Sequence, residues 1–231
     1  MSETSENTAA IREEVAKEFQ VERLILFSDA VFAIVITLVA IEIRMPEMKR
    51  DVTLGVWMDH FLHLIPSFFA YAISFYLIGR IWYRHLQLFG FVRSYDAGLV
   101  IRNLLVLFFI GLFPFSISLI TSGRVFYPPY FVYIFLVFAG EGAQLLLKHY
   151  VLVQRPQLRN TLPVHNALVQ LRISRRMFLA LCVIITLTVT SYFLIPDDNL
   201  KPVAFWWMML LPVISAVLRR RFAREMKTQA T

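Results

Sequence analysis

A short polar run stands at the start of a long apolar stretch of this chain. Residues 23–29 read Arg-Leu-Ile-Leu-Phe-Ser-Asp, and the apolar run from Ala30 to Ile41 follows directly. An ionised carboxylate at the end of a membrane-spanning helix is costly unless it is paired, hydrogen-bonded or hydrated. Arg23 can extend to the lipid headgroups, whereas the shorter Asp29 side chain needs partners from other helices. The spacing therefore predicts a polar network or a water-filled path around Ser28 and Asp29.

Polar residues at the matching depth of two later apolar segments are candidates for that network. Trp82 and His85 lie near the end of the second segment, three residues apart, and Arg102 and Asn103 lie near the start of the third. Side chains at i and i+3 share one helical face. We expect all four to form hydrogen bonds around the Ser-Asp pair. The alternative is a purely structural clamp between helices, with no part in ion selection.

An apolar stripe continues along the first helix beyond Asp29. Ile34, Leu38 and Ile41 follow one another at i, i+4 and i+7, and Thr37 lies on their flank. This spacing places the three apolar side chains on one helical face. By residue type alone such a stripe is typical of helix packing, and pore lining is the alternative.

Two further acids need an explanation. Glu42 follows Leu38 by four residues, and it either concentrates cations at a pore mouth or pairs with Arg44 or Arg50. Glu141 lies between two glycines of a fourth apolar segment. Acidic residues inside a membrane-spanning segment usually have a functional role, and a structural ion pair is the other interpretation.

The composition indicates a membrane protein, so these residues would be held in place by helices that cross a membrane. Hydrophobic residues make up 58% of the 231 and charged residues 17%, whereas soluble proteins carry about 25% charged residues. We predict an all-α, multi-pass membrane protein, with a kink at Pro114 in the third helix. The six predicted spans are 24–44, 61–82, 98–121, 130–150, 177–196 and 202–218.

The distribution of Lys and Arg predicts the orientation. Most of the 23 lie in the N-terminus, the second and fourth loops and the C-terminus, so the positive-inside rule places both termini in the cytoplasm. The net charge of +7 is thereby explained by span ends and membrane lipids, without a nucleic-acid partner. The predicted organisation is a cytoplasmic N-terminal segment (1–22), one six-helix transmembrane channel domain (23–218) and a basic cytoplasmic tail (219–231).

The first span carries a recognisable signature. It resembles the Arg-x-x-x-Phe-Ser-Asp pattern that opens the first helix of the transmembrane protein 175 family, the lysosomal and bacterial potassium channels. The matching residues are Arg23, Phe27, Ser28 and Asp29. The resemblance continues through Trp82, His85 and Asn103 at similar spacing. One departure is Arg84-His85, where some relatives have two histidines.

The resemblance implies an architecture and a site. Because lysosomal members carry two six-span repeats and this chain has one, it is similar to the bacterial type, a homotetramer in the cytoplasmic membrane around a central pore lined by the first helix. The implied constriction and selectivity filter are formed by Ile34, Leu38 and Ile41, with Thr37 at a polar filter position. The implied activity is a potassium-preferring cation leak channel with potassium ions as transient ligands and no cofactor.

Several classes of protein are disfavoured because the sequence lacks their motifs. The sequence has no Thr-Val-Gly-Tyr-Gly filter loop, no Walker A loop and no His-Glu-x-x-His motif. We therefore expect no enzyme. Two alternatives remain open: a proton-coupled secondary transporter that uses Asp29 and Glu141, and a structural or regulatory membrane subunit.

Overall fold

The structure is a computed structural model whose secondary structure is almost entirely helical. It describes residues 2–43, 53–121, 128–160, 165–197, 200–210, 213–214 and 216–217. The α-helices, in chain order, are α1 (Ser2–Ile41), α2 (Leu54–Phe89), α3 (Ala97–Gly111), α4 (Phe113–Thr121), α5 (Pro128–His149) and α6 (His165–Leu194). A π-helix (Tyr150–Gln154) and two 3-10 helices (Pro156–Leu158 and Lys201–Met209) complete the described elements.

Five helical segments of the described part are long and apolar enough to cross a membrane. They are Glu18–Ile41, Leu54–Phe89, Ala97–Thr121, Pro129–Gln154 and Leu168–Leu194. They overlap the first five predicted spans in order, and the protein is a multi-pass, all-helical membrane protein. Most extend beyond the predicted limits, because polar residues at the ends of a span can continue the helix without being apolar.

The sixth predicted span, 202–218, is described only in part. Residues Lys201–Met209 form a 3-10 helix instead of the start of an α-helix, with i to i+3 hydrogen bonds such as Val203 N–H to Leu200 O at 3.0 Å. Pro202 near its start lacks an N–H donor, which suits a tight first turn. Much of the remainder, and all of the predicted tail 219–231, lies outside the described residues.

The third span is broken where a kink was predicted. Helix α3 ends at Gly111, Leu112 caps it, and α4 begins at Phe113. Pro114 has no N–H to donate and its ring crowds the preceding turn, so the helical hydrogen bonds cannot run through unchanged. Its neighbours restore part of the pattern, with Ser116 N–H donating to Leu112 O at 3.2 Å.

The described chain divides into two compact units. The first comprises Met1–Val151 with Arg155–Asn160, and the second Leu152–Gln154 with Thr161–Thr231. In the first unit, α1 packs against α2, α3 and α4, while α5 packs against α2, α3 and α4. In the second, α6 packs against the 3-10 helix Lys201–Met209. The domain boundaries predicted above remain predictions.

Helices α1 and α6 are longer than the sequence suggested. Helix α1 runs without interruption from Ser2, through the limit at residue 22 that was predicted to separate a cytoplasmic segment from the membrane domain. Helix α6 begins at His165, so the basic residues 172–176 belong to the helix of the fifth span. In both segments polar residues continue the helix, so composition alone does not show where the helix begins.

Candidate functional site

Helix α1 has one buried face and one exposed face. Phe32, Val35 and Val39 are buried at the helical spacing of three or four residues, against α2, α3 and α4. The opposite side carries Ile34, Leu38 and Ile41 at 57%, 42% and 67% exposure. The same helix therefore binds the subunit core with one face and leaves a continuous apolar stripe on the other.

A hydrogen-bonded relay links α1 to the core. The His85 ring Nε2 donates to the Asn103 amide oxygen at 2.7 Å, and the Asn103 amide nitrogen donates to Ser28 Oγ at 2.8 Å. Ser28 Oγ in turn donates to Leu24 O at 2.8 Å. The hydrogen bonds thus run from α2 through α3 to α1. Asn103 and Ser28 each donate one hydrogen bond and accept another.

The relay is closed to its surroundings. Ser28 and Asn103 are 0% exposed and His85 is 1% exposed. The rings of Phe32 and Phe89 lie against His85, with centroids at 5.5 and 4.5 Å. Polar groups enclosed in this way are costly to leave without partners, so the three side chains fix the relative positions of three helices.

Asp29 makes a separate contact at the edge of the same helix. Trp82 Nε1 donates to Asp29 Oδ1 at 2.8 Å. The carboxylate is half-buried and Trp82 is 36% exposed, so this pair lies outside the closed relay. The indole N–H can only donate, and it therefore pairs naturally with the carboxylate.

Arg102, which was expected in the network, lies elsewhere. Its Nη1 donates to Gly98 O at 2.9 Å, and its guanidinium lies 3.9 Å from the centre of the Tyr150 ring. Tyr150 Oη donates to Asp96 Oδ2 at 2.7 Å, while the Leu99 N–H donates to the other carboxylate oxygen. Arg102 thus joins a second cluster, at the start of α3.

The charge of Asp96 is stabilised in this second cluster. Desolvation raises the pKa of Asp96, but the hydrogen bonds from Tyr150 and Leu99, with the nearby charges of Arg155 and Arg102, outweigh it and lower the pKa below the ordinary value. Asp96 also caps the N-terminus of α3, where a negative charge is favourable. This cluster was not predicted from the sequence, although the Asp before an apolar helical run is a recognisable capping signal.

The remaining predicted residues lie along the exposed side of α1. Phe27 is 52% exposed, and Arg23 is exposed in the turn before it. Thr37 is exposed and donates its hydroxyl to Ile34 O at 2.7 Å. Glu42 follows the end of the helix and is half-buried. Its proposed basic partners at positions 44 and 50 lie outside the described residues.

Glu141 is an ion-paired residue. Arg84 Nη2 donates to Glu141 Oε1 at 2.6 Å, and Arg80 Nη2 lies 3.7 Å from the same oxygen. This bears on the alternative that treats Glu141 as a proton site, because its carboxylate is already engaged in a salt bridge. Two arginines four residues apart, Arg80 inside the predicted second span and Arg84 just beyond it, were the sequence signal for this pair.

The first three spans of this chain are similar in sequence to known proteins. Residues 23–114 match the family model described as endosomal/lysosomal potassium channel TMEM175. A protein of Streptomyces collinus named as a potassium channel is 40% identical over 101 residues, 43% of this chain and 47% of that protein. A Homo sapiens relative named as an endosomal/lysosomal proton channel is 34% identical over 100 residues, 41% of this chain and 20% of that protein.

The fold extends the likeness beyond the matched sequence. This chain is similar to the crystal structure of a lysosomal potassium-selective channel TMEM175 homologue from Chamaesiphon minutus, over 88% of this chain and 98% of that protein, with a TM-score of 0.68 and 23% identity. At that identity the likeness shows a shared fold. The aligned part of this chain spans about half the length of the bacterial relatives that it matches.

The sequence match includes the candidate site. The matched segment contains the complete relay from Ser28 to Asn103, the Asp29–Trp82 pair and the exposed stripe of α1. The named family is one of ion channels and not of enzymes. The segment 23–114, which holds the relay, the Asp29–Trp82 pair and the exposed stripe of α1, is therefore similar to the TMEM175 family.

Proposed function

We propose that this protein is a potassium-preferring cation channel in the bacterial cytoplasmic membrane, assembled as a homotetramer with α1 around a central pore. The observation that carries the proposal is the two-sided character of α1. One face is bound into the subunit by buried side chains and the relay, and the other presents the apolar stripe of Ile34, Leu38 and Ile41. Four copies of such a helix would enclose an apolar constriction.

The length of the stripe suits a constriction. Seven residues separate Ile34 from Ile41, which corresponds to about 10 Å along a helix at 1.5 Å per residue. Thr37 lies within that length, and Glu42 follows beyond Ile41, where a ring of carboxylates would concentrate cations. The bacterial relatives are named as potassium channels, and that chemistry is carried over to this chain as part of the proposal.

A physical argument supports a preference for potassium over sodium. An apolar constriction offers few groups to replace the water of an ion, and removing water costs sodium more free energy than potassium. Such a ring can also close the pore by expelling water. Preference of this origin is modest compared with that of a filter built from backbone carbonyls.

The proposed roles of the polar residues follow from their burial. The relay residues Ser28, His85 and Asn103 are at most 1% exposed and offer almost no surface to an ion, which supports a role in holding α1 in place. Asp29, paired with Trp82 at the edge of the helix, fixes the rotation of α1 so that the stripe faces the axis. The pairing of Glu141 with Arg84 counts against the alternative of a proton-coupled transporter.

The proposal is tested by ion flux in liposomes that contain the purified oligomer. Potassium and sodium gradients are applied in turn, with a pH gradient as a third condition because vertebrate relatives are named proton channels. We expect passive potassium flux that exceeds sodium flux and stops at the Nernst potential without a coupling ion. Folded oligomer without potassium flux would refute the channel, and uphill transport driven by the pH gradient would support the transporter.

A matched pair of substitutions tests the pore lining. Ile34→Asn replaces a residue of the stripe, and Ile73→Asn makes the same change on α2 at nearly the same exposure, 54% against 57%. We expect only Ile34→Asn to raise sodium permeation, because it places polar groups in the constriction. Equal effects of the two changes on sodium permeation would refute the proposal that α1 lines the pore. Leu38→Ala is the second variant in case Ile34→Asn fails to assemble.

A further inference from the structure

A polar cluster between α2 and α5 lies apart from the proposed pore. Glu141 Oε1 accepts a hydrogen bond from Arg84 Nη2 at 2.6 Å and lies 3.7 Å from Arg80 Nη2. All three side chains are at most 17% exposed. A single carboxylate oxygen thus faces two guanidiniums, and these three groups together carry an excess of positive charge in a membrane-spanning segment.

Several buried polar side-chain atoms on α2 and α5 have no hydrogen-bond partner. Within the described residues, Arg80 Nε, Arg84 Nε and both amide atoms of Gln144 are buried and form no hydrogen bond. Gln144 is 4% exposed and follows Glu141 by three residues, so the two side chains share a face of α5. Buried groups of this kind are rare in folded proteins, and several in one place indicate a missing partner.

The packing of α5 shows where Gln144 points. One turn before Gln144, an added Cβ at Gly140 would lie 3.9 to 4.0 Å from side-chain atoms of Ile110 and Ile81. Residues four apart lie on the same face, so Gln144 is directed towards α2 and α3. Arg80 and Arg84 flank Ile81 on α2, which brings the unpartnered amide and the guanidiniums to the same side of α5.

We propose that Arg80, Arg84 and Gln144 form a binding site for an oxyanion of the phosphate class. A ligand here must accept several hydrogen bonds and carry negative charge, and planar guanidiniums bind phosphate through two parallel N–H groups. The Gln144 amide supplies a further donor, and Glu141 orients the arginines. The site excludes metal cations because positive charge dominates it.

Two sources can supply this chemistry. Arg84 lies five residues before the end of α2 at Phe89, or about 7.5 Å along the helix. The phosphate of an anionic lipid headgroup is within reach at that depth, since arginine side chains extend towards the membrane surface. Free phosphate is the other source.

The experiment uses the full-length oligomer, stripped of lipid in neutral detergent. The probes are inorganic phosphate, with chloride at equal ionic strength as its reference, and phosphatidylglycerol, with phosphatidylcholine as its reference. The readouts are the midpoint of thermal unfolding and the number of lipids bound in native mass spectrometry. Neither depends on ion flux, so the result is independent of the proposed channel activity.

The variants separate this site from general charge effects. We expect Arg80→Gln and Gln144→Leu each to weaken oxyanion binding about tenfold, the effect of losing one hydrogen bond to a charged group. Arg172→Gln and Gln154→Leu make the same changes at exposed positions and are expected to bind as the unmodified protein does. Arg80→Lys keeps the charge without the planar fork, and it replaces Arg80→Gln if that variant does not assemble.

The outcomes distinguish the possibilities. Stabilisation by phosphatidylglycerol and phosphate, lost in both cluster variants, supports the site with a headgroup as the ligand. A response to phosphate alone supports it with a free anion. No response of the unmodified protein to either probe, or a response that survives in Arg80→Gln and Gln144→Leu, would overturn the proposal and leave only a structural ion pair.

Discussion

Replacement of Asn103 by Leu tests whether the buried relay holds α1 in place. Asn103 is 0% exposed and makes hydrogen bonds of 2.7 and 2.8 Å to His85 and Ser28. Leu has a similar size but neither donates nor accepts. Ser28 keeps its bond to Leu24 O, whereas His85, at 1% exposure, loses the partner of its Nε2.

The magnitude follows from these contacts. Hydrogen bonds between membrane helices contribute about 0.6 kcal/mol each on average, and a buried polar group without a partner costs about 1–3 kcal/mol. Two lost bonds and one unpartnered imidazole together predict a loss of about 2–4 kcal/mol. For a chain of this size the unfolding midpoint falls by roughly 2–4 °C per kcal/mol, so the expected decrease is about 5–15 °C.

The assay compares thermal unfolding of Asn103→Leu with that of Ile101→Leu. Ile101 lies two residues earlier on α3 and is 65% exposed, so its conservative replacement is expected to change the midpoint by less than about 1 °C. Per assembled channel, the ratio of potassium to sodium flux is expected to stay unchanged, because Asn103 has no exposed surface. An unchanged midpoint for Asn103→Leu would refute the structural role, and an altered flux ratio with full stability would assign the relay to the ion path.

Three further predictions concern contacts outside the relay. Gly98→Ala is expected to lower the unfolding midpoint by several degrees, since an added Cβ would overlap the Tyr150 hydroxyl and overpacking costs about 1–3 kcal/mol. Asp96→Asn is expected to be less stable than the unmodified protein at pH 7 and at pH 5. Because the folded state lowers the pKa of Asp96, this difference in stability should shrink only as the pH falls below about 4. Thermal melts across this pH range measure the difference. Trp82→Phe removes the 2.8 Å hydrogen bond to Asp29 at a partly exposed position, so a smaller loss of about 1 kcal/mol is expected, together with altered flux if this pair sets the rotation of α1.

Each of these predictions has a contradicting result. Unchanged stability of Gly98→Ala would mean that Tyr150 can move without cost. A pH-independent difference for Asp96→Asn would separate its stabilisation from its charge. Identical flux through Trp82→Phe would limit the Asp29 pair to packing.

The sequence predicted the helices well because the signal for them is local. Long apolar runs bounded by polar residues identify spans without knowledge of their neighbours, and the kink at Pro114 follows from the chemistry of one residue. The ends of helices were less predictable, as α1 and α6 show, because a polar segment can extend a helix as readily as end it. The 3-10 helix Lys201–Met209 likewise gave no signal in composition.

The sequence pointed to polar partners for Ser28 and Asp29 but did not specify their pairing, and the pore-lining roles stay predictions. Polar residues that must lie at one depth of a membrane pointed to Ser28, His85 and Asn103 as mutual partners, since few alternatives exist for them in an apolar medium. Arg102 was placed wrongly in that network, because residues adjacent on a helix point in different directions and Arg102 faces Tyr150. Only a known packing of α3 against α5 would have revealed this.

The amino-acid sequence by itself determined that the chain is a multi-pass helical membrane protein and that α1 has an apolar stripe beside a polar end. These properties depend on composition and on a periodicity that any helix expresses. The tertiary structure alone decided which face of α1 is buried, which donor meets which acceptor, and that Glu141 meets Arg84 across 57 residues of chain. Such pairings depend on how helices that are distant in sequence come together, and several arrangements satisfy the same local pattern until packing selects one.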